Sequence, residues 1–253
     1  MRLDELKNEL NEKLLLSNFD SVMDKIPFTE LAKIFNVVGD YKEGEETHND
    51  IVLFYRKKGL PKRRNEIYIQ NKYYDKEQQY ELFKKEFVNT VKTYNEQQNV
   101  NGKFIAKMKT GQRQKGQLIN QTPEHPEEYI FQPLVDIKKE YRVIVYYMSG
   151  KYHVSGIYEK IGSNISLFKV DENSKEGKGI SIIAKKATRV LGYGFGGVDI
   201  AIVEPDENKV NVRNTTYPNI VVLEVNTLPS LKNPRILIDF VQDANKNRSR
   251  GLL

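Results

Sequence analysis

Two apolar runs, each broken by a single acid, constrain this chain more than any other feature. In GGVDIAIVE, Asp199 stands between Val198 and Ile200; in NIVVLEVN, Glu224 and Asn226 flank Val225. Short, β-branched runs of this kind read as strands. Strand side chains alternate faces, so Glu224 and Asn226 point the same way. The polar stretch PDENKVNVRNTTYPN between the runs reads as the loop of a hairpin, and such a hairpin sets Asp199 beside Glu224. Buried carboxylates are rarely kept without a partner. Two of them with an amide oxygen make a hard, oxygen-rich site suited to magnesium or manganese, with water and phosphate oxygens completing the shell. Zinc does not suit it: the chain has no cysteine, and His48, His125 and His153 lack ligand spacing.

A magnesium site of this type presents phosphates, so the rest of a nucleotide site is the next thing to look for. FIAKMKTGQRQKGQLI supplies a strand carrying Lys107 and then Gly111 and Gly116 around a basic turn. Lysine offers a point charge to phosphate, and a glycine-bearing turn lets backbone N–H groups approach an anion. Gln117 and Leu118 follow Gly116, so this is no Walker loop. Lys109 shares a strand face with Lys107, and the spacing does not choose between them. In YIFQPLV, Gln132, Pro133, Leu134 and Val135 suit a flat purine pocket; proline has no N–H, so the donor to the adenine edge falls to Leu134. Glu140 and Arg142 share a face of the next strand, where Arg142 can grip phosphate or hold a carboxylate. Lys160 ends the strand after it.

The remaining chain reads as α+β. Leu3, Leu6, Leu10 and Leu14, then Phe28, Leu31, Ile34 and Phe35, recur at helical spacing, so residues 1–65 are expected to be mostly helical, with IVLFY (51–55) a strand. EIYIQ is a second short strand. Phe83, Phe87 and Val91, with Tyr80, Phe87 and Tyr94, predict a helix from Asp75 to about Gln97. EYRVIVYYM and KYHVSGIY read as antiparallel strands. GISIIAKKATRVLGYG reads as a helix closing on glycine. PRILIDFVQDA is a last helix, and ANKNRSRGLL a frayed polar tail.

Composition narrows the classes. The chain has 253 residues, 39% hydrophobic and 29% charged, with a net charge of +6. That is a globular balance with a core of useful size. No apolar run is long enough for a membrane span, and the charged start MRLDELKNELNEKL has no signal-like apolar core. Absence of cysteine suits a reducing compartment, and a cytoplasmic location is the expectation. The positive balance fits an anionic ligand or partner: nucleotide, acidic peptide or protein, or, less favoured, nucleic acid. The basic stretch RKKGLPKRRN reads first as a solvated turn.

The order of parts, from strand-lysine and glycine loop through YIFQPLV, EYRVIVY and GGVDIAIV to LEVNTLPS, resembles the ATP-grasp superfamily over residues 66–245. Its texture is similar to the ribosomal-protein glutamate ligases, and more distantly to glutathione synthetase and D-alanine–D-alanine ligase. The resemblance implies two α+β subdomains enclosing ATP between antiparallel sheets, a lid-type one over 66–135 and a metal-binding one over 136–245, followed by a tail over 246–253. It implies Asp199, Glu224 and Asn226 as magnesium ligands. Lys72, Lys107, Lys109, Lys160 and the loop from Gly111 to Gly116 would hold ATP, with Gln132 to Val135 lining the adenine. Arg142 and Lys107 would be catalytic. The implied reaction joins a carboxylate to an amine through an acyl-phosphate; phosphoryl transfer to a hydroxyl, or a non-catalytic basic module, are the alternatives. Departures are the short N-terminal region, Pro229-Ser230 where the family has Pro-Gly, and Gln132-Pro133 where it has Gln-Glu.

Overall fold

The computed structural model describes residues 13–17, 36–38, 51–55, 58–63, 65–69, 71–110, 117–162, 164–212, 216–227 and 234–250. β1 (Lys13–Ser17), β2 (Asn36–Val38), β3 (Ile51–Tyr55) and β4 (Glu66–Ile69) form a parallel sheet in the order β2-β1-β3-β4. Among the described residues of the front of the chain, Lys13–Ser17 and Asn36–Val38 are strands where helix is expected, and Ile51–Tyr55 is the strand expected there. Leu14, taken as the end of a helical face, lies in β1, because a run as short as KLLLS fits helical spacing and a strand equally well. Leu3, Leu6, Leu10 and the Phe28–Phe35 pattern lie outside the described residues.

α1 (Lys76–Lys85) opens on a reciprocal cap: Asp75 accepts from the Gln78 N–H at 2.8 Å, and the Gln78 side chain accepts from the Asp75 N–H at 3.2 Å. It stops short of Gln97. Phe87 has φ 56° and is 58% exposed, Val91 lies in β5 (Thr90–Val91), and Tyr94 bridges to Phe131. The seven-residue spacing of aromatics there comes from three different environments, not one helix face.

β6 (Phe104–Met108), β7 (Gln117–Ile119) and β8 (Tyr129–Pro133) make a small antiparallel sheet, order β7-β6-β8. β9 (Ile137–Met148) and β10 (Lys151–Ile161) are joined by Ser149 and Gly150, both at positive φ (53° and 80°), the tight turn whose twist suits a hairpin. β11 (Asn164–Lys169), α2 (Lys175–Leu191), β12 (Phe195–Val203), β13 (Val210–Asn211), β14 (Ile220–Asn226) and α3 (Pro234–Arg250) follow. The large sheet runs β11-β10-β9-β12-β14-β5-β13, antiparallel except where β14 meets β5. α2 is capped by Ser174, whose Oγ accepts from the Gly177 N–H, and closed by Gly192 at φ 65°. α3 continues to Arg250, through most of the stretch expected to fray.

Each face of the large sheet has its own cover. Val143, Val198 and Val225 point toward α2, whose Ile180, Ile183, Ala187 and Leu191 complete a dry core. On the opposite face, Phe240 of α3 packs against Phe195 and Tyr146, with ring centroids 4.8 and 5.3 Å apart. Beside α3 the same face carries the polar side chains described next.

Candidate active site

Pairing register builds the site. Arg142 of β9 sits opposite Asp199 of β12, and Asp199 opposite Glu224 of β14. Directly paired residues share a face, so three strands lay an arginine and two acids in one row. Tyr158 of β10 and Lys169 of β11 extend the row beyond Arg142. Next to Glu224 the register slips, leaving Leu223 as an extra residue in β14. Such bulges re-aim neighbouring side chains and often stand beside functional sites. Asn226 lies on the same face, and its Nδ2 donates to Glu224 Oε1 at 3.1 Å.

Asp199 is 4% exposed and is gripped by Arg142 through two bonds: Nε to Oδ1, and Nη2 to Oδ2 at 2.8 Å. Lys160 reaches Asp199 Oδ2 at 3.6 Å and pairs closely with Glu140. Burial pushes the Asp199 carboxyl above the usual range and Glu224 adds to the push, against the pull of Arg142 and Lys160.

The small sheet supplies the opposite wall. Lys107 projects from β6 into the cleft, where withdrawal from water pulls its ammonium below the usual lysine range. Glu224, Glu140 and Asp199 oppose that shift, and Lys76 adds to it. Lys76, the first residue of α1, donates to the Met108 carbonyl at 3.2 Å and stands 3.9 Å from Glu224 Oε2. Lys76, Lys107, Gln132 and Glu224 line one pocket between the sheets. Four cations (Arg142, Lys160, Lys107, Lys76) thus surround three carboxylates (Asp199, Glu224, Glu140), a balance that favours an anionic ligand.

Other expected site residues are placed differently. Lys72 is exposed and lies over the Tyr74 ring at 4.5 Å; the lysine of this segment that reaches Glu224 is Lys76. The signal was present: the Asp75–Gln78 capping box marks where the helix starts and makes Lys76 its first residue. Lys109 pairs with Glu77 at 2.7 Å, which separates it from Lys107. Gln132 is buried, with Nε2 donating to Thr93 Oγ1 at 2.8 Å. Pro133 is the last residue of β8, and Val135 packs against the cluster of Val91, Ala201 and Val203. The Leu134 N–H donates to the Lys103 carbonyl at 2.9 Å, so the sheet already uses the donor expected for an adenine edge. Gly111, Gly116, Pro229 and Ser230 lie outside the described residues.

The residues fit a divalent ion in a limited sense. Among the described residues no group of three histidine, aspartate or glutamate side chains could hold a metal. Asp199, Glu224 and the Asn226 amide oxygen offer hard oxygens on one face, and the raised Asp199 carboxyl marks a place where added positive charge is favourable. The remaining ligands of such an ion would come from phosphate and water.

No family model matches the chain, and no curated protein matches it in sequence. Solved structures do match in shape. D-alanyl-alanine synthetase A from Vibrio cholerae O1 biovar eltor aligns over 93% of this chain and 98% of its own, at TM-score 0.53 and 12% identity. D-alanine–D-alanine ligase from Coxiella burnetii aligns over 78% of this chain and 69% of its own, at TM-score 0.50 and 14% identity. At such identities the likeness is one of fold.

Proposed function

We propose that this chain, whose fold is the ATP-grasp fold of those two ligases, is an ATP-dependent carboxylate–amine ligase. The observation that carries the reading is the row Arg142–Asp199–Glu224, laid across three strands and faced by Lys107 and Lys76 from the opposite wall.

Asp199, Glu224 and Asn226 would hold magnesium, which when bound neutralises and orients phosphate oxygens. Lys107 and Lys76 balance the charge of the phosphate chain. Arg142 and Lys160, which bond to Asp199 and Glu140, would also donate to phosphate oxygens as negative charge develops on them. In the overall reaction a carboxylate oxygen of the substrate bonds to the γ-phosphorus and the bond to the ADP oxygen breaks. The amine nitrogen then bonds to the acyl carbon, inorganic phosphate leaves, and the amine gives up a proton. None of this needs a side-chain nucleophile, in keeping with a chain that has no cysteine. What the site contributes is positioning and fixed charge.

Calorimetric titration of ATP, with and without magnesium, tests the reading on wild type and Glu224→Ala. Magnesium-dependent binding in wild type, lost in the variant at unchanged melting temperature, is expected. ADP release that requires both a carboxylate and an amine identifies the ligase; release with a hydroxyl compound alone identifies a kinase. Absence of ATP binding by folded wild type would remove the proposal.

A further inference from the structure

We propose that Gln79 is a positioning residue for the candidate metal site. Its buried carboxamide holds the β14 backbone between Glu224 and Asn226, and so fixes the direction in which both side chains face the cleft. The link to magnesium rests on the ligase reading; the clamp on β14 does not.

The edge of β14 calls for such a partner. β12 borders one side of the strand from Ile220 to Asn226. On the other side β5 meets β14 at Val222, whose N–H donates to the Asn89 carbonyl and whose carbonyl accepts from Thr90 Oγ1, both at 2.9 Å. The bulge at Leu223 follows, and Val225 beyond it is 2% exposed. Backbone polar groups buried without partners are costly. Gln79, one turn into α1, serves both groups of Val225. Its Oε1 accepts from the Val225 N–H at 2.9 Å, and its Nε2 donates to the Val225 carbonyl at 3.0 Å. A carboxamide offers a donor and an acceptor much as a peptide group does, so Gln79 stands in for a strand residue at this edge. Nε2 also donates to the Tyr74 carbonyl at 3.1 Å, which leaves the buried side chain no N–H for a ligand.

Position along the strand makes the clamp matter to the site. Side-chain direction in a strand follows the peptide planes. One peptide of Val225 is shared with Glu224 and the other with Asn226, so holding both polar groups of Val225 orients the two residues that face the cleft. α1 is also fastened to the opposite wall. The Lys76 N–H donates to the Lys109 carbonyl at 3.1 Å, Lys76 Nζ donates to the Met108 carbonyl at 3.2 Å, and Glu77 pairs with Lys109 at 2.7 Å. One helix therefore grips the end of β6, which carries Lys107, and the end of β14, which carries Glu224. Gln79 makes the second grip, and with it the spacing between the basic and the acidic wall is set.

A buried amide that served the fold alone would act on stability and leave the metal ligands untouched. Asn89 is such an amide, at the far end of β14: its Nδ2 donates to the Tyr217 and Ile220 carbonyls at 3.0 and 3.2 Å. Both side chains are buried and both bond backbone carbonyls of this region. Only Gln79 acts between Glu224 and Asn226, which makes Asn89 the control for a purely structural role.

Amide hydrogen exchange and magnesium titration of the full chain, compared between wild type, Gln79→Met and Asn89→Leu, test the proposal. Methionine keeps the length of the side chain and removes its hydrogen bonds. Without ligand, Gln79→Met should speed exchange of the Val225 N–H about tenfold or more relative to that of Val222, and shift the Asn226 side-chain amide signals. With ATP present, the magnesium concentration that half-saturates binding should rise about tenfold or more, as when a group that orients a metal ligand is lost. Asn89→Leu should lower the melting temperature and leave that concentration unchanged. An unchanged magnesium requirement in Gln79→Met, or an equal rise in Asn89→Leu, overturns the proposal. Wild type that binds no ATP removes the ligase reading and not the clamp, which the Val225 exchange and the Asn226 signals then decide alone. Should Gln79→Met fail to fold, Gln79→Asn, which sets the amide one carbon short of Val225, decides on the same readouts.

Discussion

Arg142 and Asp199 concentrate the electrostatic tension of the cleft. Both are largely withdrawn from water, with 12% and 6% of their side chains exposed, and each is held by the other. Removing one partner of such a pair strands the other. Arg142→Ala should cost about 3–5 kcal/mol in chemical denaturation. Arg142→Ala with Asp199→Asn should recover much of that loss; a double variant no more stable than the single would mean the pair is not what holds this part of the sheet. Lys107 presents the opposite case. Its ammonium is penalised by desolvation in the folded chain. Lys107→Met keeps the stem and removes the charge, so the melting temperature should hold or rise. ATP affinity should fall about tenfold or more, the scale of a lost charge-assisted bond. A variant both less stable and equally avid for ATP would contradict that role. Lys107 was legible in the sequence because a strand and a glycine-bearing turn frame it. Lys72 follows from the resemblance, which has a lysine ahead of the helix; the side chain that reaches Glu224 is instead that of Lys76, the first residue of the helix itself.

At the level of elements, the site depends on how closely helices and strands approach one another. α2 begins so near the loop before it that a Cβ on Gly177 would lie 2.1 Å from the Asp171 carbonyl oxygen. Gly177→Ala should therefore force the helix start outward, destabilising the chain by about 1–3 kcal/mol. Unchanged stability would show that the Asp171–Ser174 turn yields freely. α3 is fastened through polar contacts as well as Phe240. Tyr158 donates to the buried Asp239 at 2.8 Å, and Lys169 and Arg235 pair with the same carboxylate. Tyr158→Phe should cost about 1–3 kcal/mol, because a buried charged acceptor loses a donor. α2 could be read directly from its apolar spacing and terminal glycine. The helix expected to run from Asp75 to Gln97 could not, because apolar spacing alone cannot tell a helix face from a helix end followed by a strand and a bridge.

For the whole molecule, buried tyrosines set an alkaline limit. Tyr141, Tyr146, Tyr158 and Tyr193 are all pushed up by burial, as is Tyr152, to about 12. Each stays protonated in the folded chain after its unfolded counterpart begins to ionise near the ordinary value of 10.0. Stability from this source is complete below that value and is lost as pH rises above it. Melting temperature should therefore drop steeply between about pH 10 and 12, tracking tyrosinate absorbance. A flat profile across that interval would mean these phenols reach water. The parallel sheet of β1 to β4 and the large sheet are tied by Asn71, which bonds the carbonyls of Gly59 and Gly192 and accepts from the Gly194 N–H. Among the described residues no helix is long and apolar enough to cross a membrane.

The sequence by itself determined the alternation within strands, and therefore that Glu224 and Asn226 share a face and that Asp199 stands alone among apolar neighbours. Local steric preference and the separation of apolar from charged side chains are enough for that. It also determined where α2 ends, through Gly192, whereas the apolar spacing begins at Gly179 and misses the first turn after the Ser174 cap. Tertiary structure decided everything that depends on which surfaces meet. The register that sets Arg142 opposite Asp199, the small sheet that carries Lys107 to Glu224, and the start of α1 that brings Lys76 beside them all depend on contacts between residues far apart in the chain. It also committed the Leu134 N–H to Lys103 and turned Leu14 into a strand. In each case a backbone or apolar group with two possible partners took the one that three-dimensional packing brought within reach.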